Sequence, residues 1–414
     1  MKILFLSNVF PNSLHPGKGT FNCAMIQALS ELHPIHVVSP VSWLDEFSHY
    51  IKHKAPLNRE WLPVESSGRL SAEYPRFYYL PKILHQHYGQ FLYWSIKKSL
   101  HQAITAFQPD IILSYWLHPD GAVAVRVAQE HGLPVVTMTG GSDILLLTKN
   151  RQRKRAIKTV LQQADGVITV SDDIMSAVKQ LKIHPDKIHT IYRGVNRSLF
   201  TPGDQQAARQ RLGLPLDRKI IVSVGRLEPV KGHTVLLDAC LKISKQGIPF
   251  TCYVLGEGSL EATLLQKIKE YGLEGLFQLN GSQQQSRLAD WYRAADVIAL
   301  PSLSEGIPNV LLEAISCGKQ FVASRVGGIP EIADPVCDQL VPPNDPEELA
   351  EAICSMFSNP IQSETRSFEP ISWQESAVQI SQILSDCSTR FSSGLTNKQK
   401  SRSSYRRKKR RIRR

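Results

Sequence analysis

Two glutamates, Glu305 and Glu313, lie in a segment whose pattern could place both beside one ligand. The apolar run 297–300 predicts a buried parallel strand, and a helix is expected from about Pro308, since proline is tolerated in a first helical turn. Parallel sheets bind ligands at the carboxyl ends of their strands, where a helix start offers N–H groups and a positive dipole end to an anion. The carboxylates would not hold that anion, but they would accept hydrogen bonds from sugar or ribose hydroxyl groups. The segment therefore predicts a ligand with both phosphate and hydroxyl groups.

Two cations five positions apart form a second candidate site. Arg226 and Lys231 follow the apolar strand predicted at 219–224, in a loop edged by Gly225 and Gly232. At this spacing a planar guanidinium and an ammonium can reach the same pyrophosphate. The loop does not have the Gly-x-x-x-x-Gly-Lys-Ser/Thr pattern of a P-loop. Two solvated charges in a surface loop are the alternative interpretation.

The first half of the chain carries two less specific signals. Gly17 and Gly19 follow the strand predicted at 3–7, and glycines allow a backbone to approach a ligand closely. A plain turn is the alternative for these glycines. His118 follows the strand predicted at 111–114, where its ring could hydrogen-bond a sugar hydroxyl, although a lone histidine is more often structural.

The alternation of strands and helices predicts an α/β protein with doubly wound parallel sheets. Further strands are predicted at 35–39, 77–80, 135–138, 167–170, 188–192, 250–255, 276–280 and 321–324. A long connection is predicted at 43–74, with helices at 346–357 and 373–387, and prolines and glycines mark a linker at 197–217. The predicted domains are 1–197 and 198–370. A helix at 371–388 would cross back to the first domain, and a basic tail at 389–414 is predicted to be disordered because it has few apolar residues.

The positive charge of the chain is concentrated in two segments. Of the 49 lysines and arginines, eleven lie within 398–414, and the others nearly balance the 37 acidic residues. Because the body is near neutral, no specific nucleic acid partner is expected. The segment Lys149–Lys158 precedes apolar Val160 and Leu161, which predicts a basic amphipathic helix that can lie on an anionic membrane surface, as can Arg406–Arg414. A solvated helix face and an unselective polycation are the alternatives.

Several motifs are missing from the chain, and their absence guides what we expect of its location in the cell and of its cofactors. Seven cysteines without a Cys-x-x-Cys pair favour reduced thiols and a cytoplasmic location, with the basic segments predicting peripheral attachment to the inner face of the membrane. Neither Asp-x-Asp nor His-Glu-x-x-His occurs, so we expect no metal and no other cofactor. Arg226, Lys231 and the helix start would neutralise a departing diphosphate instead.

Taken together, these motifs resemble family 4 of the retaining, nucleotide-sugar-dependent glycosyltransferases, a glycogen-synthase-like group with the GT-B fold. The resemblance spans about residues 1–385. The motifs that carry it in the second half are Gly225-Arg226-Leu227, Lys231-Gly232, Pro301-Ser302, Glu305-Gly306-Ile307-Pro308-Asn309, Glu313-Ala314 and Val326-Gly327-Gly328-Ile329-Pro330-Glu331. In the first half, His118-Pro119, Gly141-Ser142-Asp143 and Gly194-Val195 also fit. Arg193 departs from the family pattern, which often has asparagine there.

The resemblance implies two Rossmann-like domains facing a cleft, with 1–197 on the acceptor side and 198–370 binding the nucleotide sugar. It also implies an enzyme that moves a hexosyl group, with retention, from a nucleoside diphosphate sugar to a saccharide, expected to be a lipid-linked or cell-surface polysaccharide precursor. By this resemblance Arg226 and Lys231 bind the diphosphate, Glu313 binds the ribose, and Glu305 and His118 face the transferred sugar. The other donor-binding positions it implies are Gly17, Gly19, Gly225, Gly306, Ile307, Pro308 and Asn309.

Two rival functions remain at this stage. A nucleotide-sugar 2-epimerase would share the fold and donor but would need further acid–base carboxylates, for which no motif is evident. A nucleic-acid-binding protein would depend on the basic tail, and the near-neutral body argues against it.

Overall fold

The computed structural model describes residues 1–54, 58, 68–81, 83–358 and 366–412, with side chains at these positions except at 53 and beyond 394. The chain divides into two compact units, each built around one parallel sheet. Unit 1 comprises Met1–Val170, Met175–Ile191 and the chain from Gln374 onward. Unit 2 comprises Ser171–Ile174 and Tyr192–Trp373.

The strands form two large sheets and one small one. Numbered along the chain, they are β1 (Ile3–Leu6), β2 (Ile35–Val38), β3 (Val41–Ser42), β4 (Leu70–Glu73), β5 (Arg76–Phe77), β6 (Ile111–Tyr115), β7 (Val135–Met138), β8 (Gly166–Thr169), β9 (Ile188–Thr190), β10 (Lys219–Val224), β11 (Phe250–Leu255), β12 (Phe277–Leu279), β13 (Val297–Leu300), β14 (Phe321–Ser324) and β15 (Gln339–Val341). Unit 1 has the order β4-β2-β1-β6-β7-β8-β9, and unit 2 has β12-β11-β10-β13-β14-β15. Neighbouring strands are parallel throughout, including the separate pair β3 and β5.

α-Helices lie between most successive strands, and two more follow the last strand. They are α1 (Thr20–Leu32), α2 (Trp43–His53), α3 (Tyr88–Phe107), α4 (Ala122–His131), α5 (Ser142–Leu145), α6 (Arg151–Gln163), α7 (Asp172–Gln180), α8 (Gln205–Leu212), α9 (His233–Lys245), α10 (Glu261–Glu270), α11 (Gln285–Ala294), α12 (Asn309–Ser316), α13 (Ile329–Ile332), α14 (Pro346–Ser358) and α15 (Trp373–Ile412). No helix in the described part of the chain is long and apolar enough to cross a membrane.

The apolar runs become buried strands because both faces of each sheet are covered. In β10, Ile221 belongs to one core cluster, whereas its neighbours Ile220 and Val222 belong to a second cluster. Strands covered on both faces have near-continuous apolar sequences, which is the pattern from which most of the strands were predicted.

The segment between β3 and α3 differs from the prediction. The strand predicted at 77–80 is wrong, since pairing is limited to Arg76–Phe77 beside Val41–Ser42. The structure instead adds β4, which pairs with β2 although its sequence, Leu-Ser-Ala-Glu, has no apolar run. Helix α2 occupies part of the predicted connection 43–74, of which residues 55–57 and 59–67 lie outside the described residues.

The C-terminal helix also differs in length. Helix α15 continues to Ile412, beyond the bound of 388 predicted for it and through residues expected to be disordered. Lysine, glutamine and arginine have high helix propensity, which is consistent with a helical backbone there. Ala377, Ile380, Leu384 and Cys387 are buried, and no side chain from 388 to 394, where the described side chains end, is buried.

Candidate active site

Helix α12 and the loop before it place the two glutamates of unit 2. Leu311 and Leu312 are buried in the core and hold the helix against the sheet. Pro308 is the N-cap residue, one position before the helix, and has no side-chain acceptor for the first N–H groups. The helix start at the carboxyl edge of β13 can therefore bind an anion through its backbone.

Lys231 and Glu305 meet in an ion pair. The Lys231 ammonium donates to Glu305 Oε1 at 2.6 Å, and the Ser302 hydroxyl donates to the same oxygen at 2.7 Å. The side chains are only 21% and 10% exposed, so the interaction is little screened by water. An anion bound beside Lys231 would share this ammonium with Glu305.

Backbone contacts around Gly232 hold the loop that carries Arg226 and Lys231 against the loop that carries Glu305. Leu303 N–H donates to the Val230 carbonyl at 2.8 Å. Gly232 has φ +68°, and a Cβ there would lie 1.9 Å from the Pro301 carbonyl oxygen. Only glycine fits this position, and the close approach holds Lys231 beside the start of the following loop.

His233 positions the loop that carries Arg226, a role the sequence did not indicate. The ring of His233 is buried, and its Nε2 lies 3.2 Å from the Arg226 carbonyl oxygen. Burial lowers the pKa of His233 to about 4, so the ring is neutral at pH 7. The side chain of Arg226 itself is exposed, next to Gly225.

Glu313 is held by a buried tyrosine that sequence reasoning also missed. The Tyr292 hydroxyl donates to Glu313 Oε2 at 2.7 Å. Burial raises the pKa of Glu313 to about 7, while the hydrogen bond from Tyr292 opposes the shift. The carboxyl group is therefore partly protonated near neutral pH.

Arg193 brings a further cation to the same loop. Its guanidinium donates to Asn309 Oδ1 at 3.3 Å and lies 3.5 Å from the Ile307 carbonyl oxygen. The departure from the family pattern therefore adds a positive charge next to the start of α12. The sequence marked this position but not the direction of the side chain.

Glu331, at the end of the Val326-to-Glu331 motif, also has a structural role within unit 2. Its carboxylate accepts hydrogen bonds from the backbone N–H groups of Asp172 and Asp173 and from the Tyr192 hydroxyl.

In unit 1, His118 is buried and lines a cavity of about 220 Å³. Gly89 of α3, Ala122 of α4 and Thr159 of α6 also line it. Burial, followed by the charge of Arg153, lowers the pKa of His118 to about 4. The ring is thus neutral at pH 7 and can donate one hydrogen bond and accept another.

The loops at the carboxyl edge of the unit 1 sheet are held by two buried aspartates. Asp120 accepts from Asn8 N–H at 2.8 Å, and burial raises its pKa to about 7. Asp143 accepts from the N–H groups of Leu117, Gly140 and Gly141, and burial raises its pKa to about 6. Asp143 belongs to a motif noted in the sequence and Asp120 directly follows another, His118-Pro119, but the inward direction of their side chains was not predicted.

The two glycines of the first loop have different environments. Gly19 has φ +68°, and a Cβ there would lie 2.4 Å from the Val9 carbonyl oxygen, so glycine is required. Gly17 is exposed, with nothing within 4 Å of a Cβ. Its predicted contact with a ligand stays a prediction.

Sequence profiles of known families match both units. Residues 204–371 match "Glycosyl transferases group 1", and residues 17–199 match "Glycosyltransferase Family 4". The chain belongs to this glycosyltransferase family. The expected resemblance is confirmed.

Several relatives of this glycosyltransferase have curated names. It is 28% identical over 363 residues to the putative teichuronic acid biosynthesis glycosyltransferase TuaC of Bacillus subtilis, covering 85% of this chain and 88% of the relative. It is 34% identical over 212 residues to D-inositol 3-phosphate glycosyltransferase 2 of Catenulispora acidiphila, covering 49% of this chain and 50% of the relative. The match thus spans about half the length of that relative.

Solved structures of low identity share the fold of the glycosyltransferase. Anabaena HepE in complex with UDP and glucose superposes with a TM-score of 0.71 at 22% identity, covering 93% of this chain and 99% of HepE. The sucrose-phosphate synthase of Thermosynechococcus elongatus gives a TM-score of 0.75 at 20% identity, covering 92% of this chain and 97% of that structure. The predicted GT-B fold class is confirmed.

The predicted donor-site residues of this glycosyltransferase divide into two groups. The structure joins Lys231 to Glu305 in the loop that leads into α12. The side chain of Arg226 is exposed, and Glu313 is instead hydrogen-bonded to Tyr292. Their roles toward a ligand stay predictions. In the described residues, no cluster of three or more His, Cys, Asp or Glu side chains could hold a metal ion.

Proposed function

We propose that this glycosyltransferase transfers a hexosyl group from a nucleoside diphosphate sugar to a saccharide acceptor, with retention at the anomeric carbon and without a metal ion. The acceptor is proposed to be a lipid-linked or cell-surface polysaccharide precursor. The names of two relatives support a saccharide or polyol acceptor, since one acts in teichuronic acid biosynthesis and the other on D-inositol 3-phosphate.

The ion pair between Lys231 and Glu305 beside the start of α12 is the observation that carries this proposal. Lys231, the exposed Arg226 and the N–H groups of α12 would hold the diphosphate. Glu305, already oriented by Ser302, would face the hydroxyl groups of the sugar. Glu313 would accept hydrogen bonds from the ribose. These groups suit a molecule with a diphosphate between two hydroxyl-bearing rings.

In the proposed reaction, the bond between the anomeric carbon and the diphosphate oxygen breaks, and a bond forms to the acceptor oxygen on the same face of the sugar. The departing diphosphate accepts the proton of the acceptor hydroxyl. Lys231, Arg226 and the dipole of α12 would stabilise the charge that develops on the diphosphate, which is the work a divalent metal performs elsewhere. No cofactor is proposed beyond the sugar donor.

Residues of unit 1 would complete the reaction. The neutral ring of His118 is proposed to hydrogen-bond the transferred sugar, and the loop from Gly17 to Gly19 to lie near the phosphates. The protein is proposed to act in the cytoplasm, on the inner face of the membrane. Cations of Lys149–Lys158 and Arg406–Arg414 would contribute to attachment through anionic lipid headgroups.

A thermal-shift panel of UDP, GDP, ADP, dTDP and their sugars tests the donor class. We expect one nucleotide and its sugars to raise the melting temperature most, because ligands that bind only the folded protein stabilise it by mass action. Incubation of that donor without acceptor should give no epimer, and NMR of the product formed with a saccharide acceptor should show the donor's anomeric configuration. Stabilisation by none of the nucleotides, or formation of the 2-epimer, would overturn the proposal.

A further inference from the structure

Helix α6 exposes positive charge, but its apolar face is buried. The sequence predicted that its apolar residues would help it lie on a membrane. In the structure Ile157, Val160 and Leu161 are buried in unit 1, so they are unavailable to lipid. Arg151, Lys154 and Arg155 are exposed. If α6 faces a membrane, its apolar contacts must come from another segment.

Exposed apolar side chains are concentrated in a short segment before and within α3. Fourteen large apolar side chains are exposed in the described chain, and five of them lie between residues 78 and 94. They are Tyr78 (51% exposed), Leu80 (49%), Ile83 (55%), Leu84 (45%) and Trp94 (64%). Such a concentration within 17 residues marks an interaction surface, whereas single exposed apolar residues are ordinary. We call these five side chains the 78–94 surface.

Tyr88 links the segment of the 78–94 surface to helix α6. The Arg153 guanidinium lies 6.0 Å from the centre of the Tyr88 ring. The Tyr88 hydroxyl donates to the Leu80 carbonyl at 3.0 Å, which ties the segment to the start of α3. Lys97 and Lys98, one turn after Trp94, are also exposed. Apolar and cationic side chains therefore share this side of unit 1.

We propose that the 78–94 surface, together with the exposed cations of α6, docks unit 1 onto an anionic lipid bilayer. Leucine and isoleucine side chains would enter the boundary between headgroups and acyl chains. Tyrosine and tryptophan prefer that boundary, and the lysines and arginines beside them would contact lipid phosphates. The lysines Lys97, Lys98 and Lys154 favour a bilayer over a protein partner, since lysine is depleted at protein interfaces. This inference rests on the membrane attachment in the proposed function and is independent of the proposed donor and reaction.

Flotation of the full-length protein with lipid vesicles tests this surface. We compare vesicles of phosphatidylcholine with vesicles of equal parts phosphatidylcholine and phosphatidylglycerol. The wild-type protein should float with the anionic vesicles, and the double variant Ile83→Glu/Leu84→Glu should bind them at least tenfold more weakly. Leu265→Glu on α10 of unit 2 is the matched control, because Leu265 is 53% exposed and lies outside the surface. It should bind as the wild type does.

Two further measurements keep the outcomes separate. Thermal melts with the nucleotides named above report folding and donor binding for every variant. If a variant loses vesicle binding but is still stabilised by nucleotide, the loss is due to the 78–94 surface and not to unfolding. If the double variant melts early, Trp94→Ala replaces it, with at least a threefold loss expected. Wild-type binding in both variants, or no wild-type binding to anionic vesicles, would overturn the proposal. The proposal would also be overturned if the wild-type protein were a dimer and the double substitution made it monomeric without changing vesicle binding.

Discussion

Lys231 and Glu305 illustrate how single residues of the site depend on one another. Each side chain is mostly buried, and each supplies the opposite charge that the other needs. Removing one member would leave the other charge uncompensated in a poorly solvated place. The Ser302 hydroxyl donates to Oε1 of this carboxylate, the same oxygen that accepts from the ammonium.

Replacement of Lys231 by alanine should lower kcat/KM for sugar transfer at least tenfold. The reason is that the ammonium stabilises the departing diphosphate, and a tenfold effect corresponds to only about 1.4 kcal/mol of transition-state free energy. Steady-state kinetics with the preferred donor measures this. Lys269→Ala, at an exposed position of α10, is the control and should leave the rate unchanged. An unaltered kcat/KM in Lys231→Ala would remove this role.

Glu313 should make nucleotide binding depend on pH. Its pKa is raised to about 7, and the ribose hydroxyls need an ionised acceptor. Between pH 6 and pH 8 the ionised fraction rises from about a tenth to about nine tenths, so affinity for the preferred nucleotide should increase roughly tenfold. Calorimetric titration across this range measures the change. Glu313→Gln should remove this dependence, and an equal dependence in the variant would assign it to another group.

The same carboxyl group has the opposite effect on the stability of the protein without nucleotide. Its folded pKa lies above the ordinary value of 4.5, so the folded state holds the proton more tightly. The resulting stabilisation is complete below pH 4.5 and is lost as the pH rises through about 7. Comparing thermal midpoints of the wild type and Glu313→Gln at pH 6 and pH 8 isolates this contribution.

At the scale of elements, close backbone contacts locate the two loops of the donor site. Gly232 is the N-cap residue of α9, and it lies against the carbonyl of Pro301, the residue after β13. The sequence predicted a strand, a loop and a helix in each case, because apolar runs, glycines and prolines act locally. It could not predict that the loops touch, since this depends on β10 and β13 being neighbours in the sheet.

Gly232→Ala should destabilise unit 2 by several kcal/mol and abolish nucleotide binding. An alanine with positive φ costs roughly 1–2 kcal/mol by itself, and here its Cβ would also collide with the Pro301 carbonyl. Gly213→Ala is the matched control, because Gly213 has the same φ of +68° with nothing within 4 Å of a Cβ. Thermal melts and nucleotide binding compare the two. Equal losses would show that the contact with Pro301 contributes nothing.

At the scale of the whole molecule, the chain contains two parallel sheets and a long final helix. Among the side chains of α15 that the structure describes, up to residue 394, the last buried one is Cys387, which packs beside Gly166 in unit 1. Most of the excess positive charge follows that point, within 398–414. Folding of unit 1 and the charge of the tail are therefore separable along the sequence.

A chain that ends at residue 397 should keep its thermal midpoint and its kcat/KM with a soluble acceptor. The truncated chain keeps Ala377, Ile380, Leu384 and Cys387, the α15 side chains that are buried in unit 1. Binding to vesicles of equal parts phosphatidylcholine and phosphatidylglycerol should fall severalfold and should become less sensitive to salt, because eleven cations are removed. Unchanged vesicle binding and salt dependence would exclude the tail from attachment.

The sequence by itself determined the α/β class, nearly all strands of the two sheets, and the residues of the donor loops. These features depend on neighbours along the chain, such as apolar runs that end in glycine, proline or charged residues. Only the tertiary structure showed that Lys231 pairs with Glu305 across 74 positions, and that Arg193 reaches Asn309 across 116. It likewise showed that Tyr292 holds Glu313 and that the apolar face of α6 is buried. Such contacts arise when separate elements pack, and no local pattern specifies which side chains then meet.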